Sequence, residues 1–341
     1  MLEICGYNLD PGTKKQVVLK VNVDGQSHEG KVGTIPNSVF SGEDDGSYEM
    51  PATLICGSSA GKTLLVTAGM HGGEWNGIPA VIRAAAAIDP KKVSGNIILI
   101  HCVNTSGFRT KVNGLLPEDG FNLNGDYPGK PDGTVGERLA DYFVKNIFPK
   151  VDFVMDLHGG GYGEIMAPLL FYPYNEKVTD AAFAAAKALD VEYLVESHAA
   201  TGEVSYAAGH FDIPGLLVEL GYSCICRPEW TKRQEKNIYL LLNHLGIYEK
   251  DGLDPKDIAP KTVSHKNIYL SSDREGLWYP HIELGSEVSK GDILGHIEDH
   301  YGNVLTEYAA EDDAVVLYYT SALSVAEGEA LIAYGLKSGI C

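Results

Sequence analysis

His71 and Glu74 stand three residues apart in the stretch TAGMHGGEWNG. Imidazole and carboxylate are both metal-competent, and the glycines beside them let the backbone approach closely. A strand-like run (Thr63–Ala68) leads in and an alanine-rich helical run (Ile78–Ile88) leads out, so the pair is expected at the mouth of a strand-to-helix turn. A third candidate, His158, ends the apolar segment FVMDLHGGG. Two histidines and a glutamate with an open fourth position describe a catalytic zinc site, with one Zn2+ per chain. Asp156 lies two residues before His158, on the same strand face, where it could hold the second ring nitrogen. Glu219 follows the apolar run of GLLVELGY. A carboxylate there needs a purpose or a partner. Beside a zinc pattern its expected role is a general base, which deprotonates a metal-activated water and then protonates a leaving amine.

The segment between the first two motifs, NTSGFRTKVNGLLPEDGFNLNGDYPG, is polar and glycine-rich, as a substrate-facing loop would be. Arg109 or Lys111 could polarise a substrate carbonyl and stabilise an oxyanion. Asn124 could hydrogen-bond the substrate, and His210, in AAGHFDIPG, is a further pocket candidate. Each also has a purely structural reading, as a solvated loop cation or a hydrogen-bonding side chain.

These residues must be positioned by the elements around them. Apolar strand candidates (Leu64–Ala68, Ile97–Val103, Phe153–Leu157, Met166–Phe171, Val191–Val195, Leu216–Leu220) alternate with helix candidates (Ile78–Ile88, Val135–Ile147, Thr179–Leu189, Pro228–Leu245). That pattern predicts an α/β fold with a mostly parallel sheet covered on both faces. In such folds ligands gather at the carboxyl ends of strands, which is where His71, His158 and Glu219 fall. Residues 1–50 read as a β-rich segment, with a turn signal in LKVNVDGQ; residues 51–250 read as the catalytic unit. The polar, proline-containing DGLDPKDIAP marks a boundary, and residues 260–341 read as an all-β domain of short strands. Its turns GSEVSKGD and SVAEGEA resemble the edges of a biotinyl/lipoyl-like domain. The position of the modified lysine reads Asp312-Asp313-Ala314, which argues for a structural or assembly role.

Composition narrows the classes. The chain has 341 residues, enough for two domains, and its 44% hydrophobic and 21% charged content is that of a globular protein. A formal net charge of -19 argues against nucleic acid or an acidic membrane as partner. The six cysteines (5, 56, 102, 224, 226 and 341) form no disulfide framework, and no secretion signal or membrane-spanning run is visible. A cytoplasmic setting is expected.

The motifs HGGE, NLNGDYPG, DLHGG and VELG, in this order, resemble the succinylglutamate desuccinylase/aspartoacylase family of the zinc carboxypeptidase superfamily. The resemblance runs from about Ala52 onward. It implies a zinc-carboxypeptidase-like mixed sheet flanked by helices, with a C-terminal barrel-sandwich-like β domain. It also implies zinc on His71, Glu74 and His158, Glu219 as base, an oxyanion-stabilising arginine near Arg109, and a small N-acyl substrate. One departure matters. The family loop D-L-N-R-x-F-P-G reads Asn122-Leu123-Asn124-Gly125-Asp126-Tyr127-Pro128-Gly129 here, so the carboxylate-gripping arginine is a glycine. Lys130, Arg227 or Lys111 would have to replace it, or the substrate lacks a carboxylate at that point. The leading expectation is a zinc amidohydrolase acting on N-acyl amino acids. Its rivals are a carboxypeptidase, which Gly125 disfavours, and a non-catalytic metal-binding scaffold. The tail is free to cover the active-site mouth or to build a homo-oligomer.

Overall fold

The computed structural model describes residues 1–24, 46–125, 127–336 and 339–340. The expected turn at Gly25-Gln26 lies outside them, as do Asp126 of the loop motif and Cys341. A small hairpin, β1 (Leu2–Ile4) and β2 (Tyr7–Leu9), precedes β3 (Thr13–Asn22). Then come β4 (Ser47–Cys56), β5 (Ser59–Ala68), α1 (Gly77–Ala87), β6 (Ser94–Ile100), α2 (Thr105–Thr110) and α3 (Val135–Tyr142). The chain continues through β7 (Phe153–His158), β8 (Glu164–Met166), β9 (Leu169–Pro173), α4 (Thr179–Ala188), β10 (Tyr193–Ser197), α5 (Glu203–Phe211), β11 (Gly215–Glu219) and α6 (Pro228–His244). The last part is all strand: β12 (Thr262–Ser264), β13 (Asn267–Ser271), β14 (Gly276–Pro280), β15 (Glu287–Val288) and β16 (Ile293–Glu298). It closes with β17 (Val304–Ala309), β18 (Ala314–Thr320), β19 (Ser324–Val325), β20 (Ala330–Gly335) and β21 (Gly339–Ile340).

Ten strands form one mixed sheet in the order β21-β12-β10-β9-β11-β7-β5-β6-β4-β3. Its centre, β11-β7-β5-β6, is parallel, and β9 enters antiparallel to β11. The central strands are apolar along their length because both faces are covered. Leu64, Val66 and Ala68 pack under α1, α4 and α6, while Leu65, Val154 and Ile98 pack under α3 and α5. The long β4 pairs with both β3 and β6, so the boundary expected near residue 50 falls inside a strand. β3 and the start of β4 extend the main sheet, while β1 and β2 form a two-stranded sheet of their own.

The expected strand Met166–Phe171 is two strands. Pro168 lacks an N–H and separates them. β9 joins the main sheet, whereas β8 pairs with β18 of the tail, Glu164 opposite Thr320 and Met166 opposite Tyr318. The tail itself consists of two antiparallel sheets packed around Trp278, Leu294, Ile297, Val316 and Leu331. A separate apolar cluster, Leu169, Val195, Val315 and Leu317, joins it to the main sheet. Burying four such side chains contributes about 1.5–3 kcal/mol each. The tail is therefore fixed at the strand ends that carry the candidate chemistry.

Candidate metal centre and its cleft

β5 ends at Ala68, and the chain turns sharply before α1. Gly69 takes φ +64°, a conformation that disfavours side chains, and a Cβ on Gly72 would lie 2.3 Å from the backbone of Gly107 in α2. The HGGE glycines are thus demanded by the close approach of α2. This packing presents His71 and Glu74 toward the end of β7. There His158 sits with its carbonyl held by the Gln234 side chain of α6 at 2.9 Å.

Both imidazoles point Nδ1 at one carboxylate. His71 Nδ1 lies 2.7 Å from Glu74 Oε1, and His158 Nδ1 lies 2.8 Å from Glu74 Oε2. Among the described residues this is the one group of three or more ligand-type side chains converging within 4.8 Å. The opposite nitrogens are held as well. His158 Nε2 meets Asp156 Oδ2 at 2.6 Å, as the i,i+2 spacing suggested, and His71 Nε2 meets Asn122 Oδ1 at 2.9 Å. Each ring therefore has one nitrogen fixed by a supporting residue and the other turned to the Glu74 carboxylate, where the three donors could share a cation. The donor set, two nitrogens and a carboxylate, fits a divalent metal such as zinc.

The charges of the site agree with that role. Burial alone would raise the Glu74 carboxyl, but His71 and His158 pull it down to about 2. Burial alone would lower both imidazoles. Glu74 raises His71, and Asp156 with Glu74 raises His158 well above the usual histidine range. Glu219 is registered directly opposite His158 in the β11/β7 ladder. Burial, then the charge of Glu74, push its carboxyl up to about 8, and its Oε2 has no hydrogen-bond partner among the described residues.

Beneath His158 runs a buried chain that the sequence did not disclose. Thr67 Oγ1 lies 2.9 Å from Asp156 Oδ1 and 2.7 Å from Glu203 Oε2. One hydroxyl proton cannot serve two carboxylates. The second contact therefore needs a proton from one of the two carboxyl groups, and the surroundings of Glu203 favour it as that donor. Burial and the neighbouring Asp156 hold the Glu203 carboxyl well above its ordinary range, which agrees with that count.

A family model, the succinylglutamate desuccinylase/aspartoacylase catalytic domain, matches residues 60–245. The chain belongs to the succinylglutamate desuccinylase/aspartoacylase family. It is 28% identical over 338 residues to the N-alpha-acetyl-L-2,4-diaminobutyric acid deacetylase of Halomonas elongata, covering 94% of this chain and 96% of the relative. The product-bound ectoine utilization protein EutE (DoeB) of Ruegeria pomeroyi superposes with a TM-score of 0.82 at 26% identity, covering 97% of both chains. A succinylglutamate desuccinylase/aspartoacylase of Rhodobacter sphaeroides shares the fold, with a TM-score of 0.82 at 23% identity over 98% of both chains.

The remaining candidates divide. Arg109 lies on α2, the helix packed against the HGGE turn; it is exposed and makes no ion pair among the described residues. Lys111 caps that helix in a left-handed conformation and is also exposed. Asn124 lines a cavity of about 240 Å³, but its Oδ1 accepts from Glu203 N at 2.9 Å and so caps α5. His210 is not brought to the site. It is exposed on the last turn of α5, stacked on Tyr206, just before β11 begins. Glu219 stands at the other end of that strand, roughly 13 Å away along it. Two of the three proposed replacements for the missing arginine are engaged elsewhere: Lys130 pairs with Glu137 at 2.7 Å, and Arg227 stacks on Tyr222 and faces Glu229. Sequence reasoning missed Asn122, Glu203 and Glu164, which reach the site only through tertiary packing. Glu164 adjoins the strand end of Glu219, in a cavity closed by the tail.

Among the described residues no helix is long and apolar enough to cross a membrane.

Proposed function

We propose that this protein is a zinc-dependent amidohydrolase that removes the acyl group from a small N-acyl amino acid. The observation that carries the reading is the register of Glu219 with His158, which sets a buried carboxyl group beside three converging metal-type donors. Zinc held by His71, Glu74 and His158 would supply Lewis-acid polarisation of the scissile carbonyl and of the attacking water. Asp156 and Asn122 keep the two imidazoles in the orientation that presents Nδ1. Glu219 takes a proton from the attacking water and delivers it to the departing nitrogen. Its raised carboxyl suits that exchange near neutral pH, and a neighbouring cation would lower it toward the working range. Arg109, exposed on α2 and without an ion pair among the described residues, is the candidate for steadying the oxyanion.

The test is metal analysis followed by a hydrolysis screen over N-acetyl, N-succinyl and N-formyl amino acids beside short peptides. N-alpha-acetyl-L-2,4-diaminobutyric acid, the substrate in the name of the Halomonas relative, is the first compound to assay. Stoichiometric zinc with chelator-sensitive release of free amine supports the reading. Preferential release of C-terminal residues from peptides would replace it with a carboxypeptidase.

A further inference from the structure

The cavity beside Glu219 is chemically one-sided. It encloses about 280 Å³ between the main sheet and the tail, and its polar lining is Glu164, Glu219, Asn267, Tyr269 and Tyr318. The rest of its wall is aliphatic or aromatic, and among the described residues no lysine, arginine or histidine lines it. Two carboxyl side chains, with no basic residue in the described lining, disfavour an anionic ligand and favour a cationic one.

Two observations beyond the acidic pair point to a ligand. Glu219 is 9% exposed, and its Oε2 has no hydrogen-bond partner among the described residues, so its hydrogen-bonding capacity is left for what the cavity holds. Glu164 is held for binding. The Gly161 N–H donates to its Oε2, and the Tyr318 hydroxyl lies within hydrogen-bonding reach of the same carboxylate. A carboxylate has about four acceptor positions, so capacity remains after those two. The backbone around it is pinned on both sides, to the metal loop through Gly161 and to the tail through Thr320.

We propose that Glu164 binds a protonated amine of the substrate, so that the preferred substrates are N-acyl derivatives of compounds carrying a second, cationic amino group. This rests on the deacylase reading above. Glu164 accepts charge-assisted hydrogen bonds from the ammonium. Leu169, Phe171 and Ile332 line the same cavity and pack the methylenes that separate the ammonium from the scissile amide. Glu219 then lies at the amide end. Substrates with an acidic side chain or a succinyl group would place like charge against Glu164 and are disfavoured.

The experiment compares wild type with Glu164→Gln and Glu164→Asp on two compounds, N-alpha-acetyl-2,4-diaminobutyrate and N-acetyl-2-aminobutyrate, which lacks the ammonium. Wild type is expected to favour the cationic compound in kcat/KM by about 10- to 100-fold. Glu164→Gln should bring that ratio close to one, chiefly through KM, and Glu164→Asp should restore part of it. A second arm needs no turnover: calorimetric binding of free 2,4-diaminobutyrate and of 1,3-diaminopropane to the metal-loaded protein, with thermal melts confirming that each variant is folded. Weaker binding to Glu164→Gln supports the assignment, and the two ligands tell a diamino acid from a plain diamine. An unchanged ratio, or equal binding by wild type and Glu164→Gln, overturns it. Absence of hydrolysis with intact diamine binding would instead overturn the deacylase reading and leave the amine site standing.

Discussion

Glu219 closes its strand directly opposite His158, residue against residue in a parallel ladder. The relationship joins a metal-type imidazole to a buried carboxyl without any intervening loop, so its geometry is as rigid as the sheet. Glu219→Gln should retain metal and lose about 10²- to 10⁴-fold in kcat. The same substitution should change stability in a pH-dependent way. A carboxyl at about 8 when folded and near 4.5 when unfolded keeps its proton on folding. The burial cost is absent below the unfolded value, grows as pH rises through the interval, and is fully present above about 8. Metal-free Glu219→Gln should therefore melt like wild type at pH 4 and be more stable at pH 8, by on the order of 2–4 kcal/mol. Melting curves that stay superposed across that range would contradict a buried, proton-carrying Glu219.

Metal binding should compete with protons. Without a cation, His71 and His158 hold their protons at higher pH than ordinary histidines, because Glu74 and Asp156 outweigh the effect of burial. A divalent ion must displace both protons from Nδ1. Affinity should fall as pH drops, by about 100-fold per pH unit where two protons exchange for one ion. Zinc titrations in buffers of different ionisation enthalpy would count the protons released. A count near zero would mean that the imidazoles are neutral before metal arrives.

The convergence of His71, Glu74 and His158 with Glu219 was legible because each sits where an apolar strand meets glycines, a local pattern. His71, Glu74, His158 and Glu219 follow from short motifs, and the central strands follow from their unbroken apolar runs. What the sequence hid depends on distant partners. Helix α5 is short, and its apolar face is small residues such as Ala207 and Ala208, so Glu203 and His210 could not be placed on opposite ends of one helix. Glu164 lies in a three-residue strand whose partner is more than 150 residues away. Asn124 is expected as a substrate contact because it lies in a polar loop; its second task, accepting from the first N–H of α5, depends on a helix 79 residues away that the loop's own sequence does not reveal.

The buried chain from Glu203 through Thr67 to Asp156 should be measurable as metal affinity. Asp156→Asn exchanges the charged acceptor facing His158 Nε2 for an amide, and the expected loss is about 10- to 100-fold in zinc affinity. Glu203→Gln keeps a donor for Thr67 and should stay close to wild type, whereas Glu203→Ala removes that donor and should weaken zinc binding by a smaller factor. Because the residues act in series, Asp156→Asn combined with Glu203→Ala should cost little more than Asp156→Asn alone. Fully additive losses would show that Glu203 acts on the site by some other route.

Gly125 is a chemical choice rather than a backbone requirement. It ends a short 3-10 turn on the surface, and among the described residues a Cβ there would meet only Asn122 Cβ, at 3.9 Å. Gly125→Arg should therefore change stability by no more than about 0.5–1 kcal/mol. The introduced guanidinium would stand one residue from Asn124, which lines the neighbouring cavity. There it can supply the bidentate carboxylate grip that this loop lacks. The expected result is a shift in kcat/KM, by about 10-fold, toward N-acetyl substrates with a side-chain carboxylate over their amide isosteres. If the ratio does not move while the protein stays folded, the loop does not face the substrate, and the specificity of this chain is set on the tail side of the cleft.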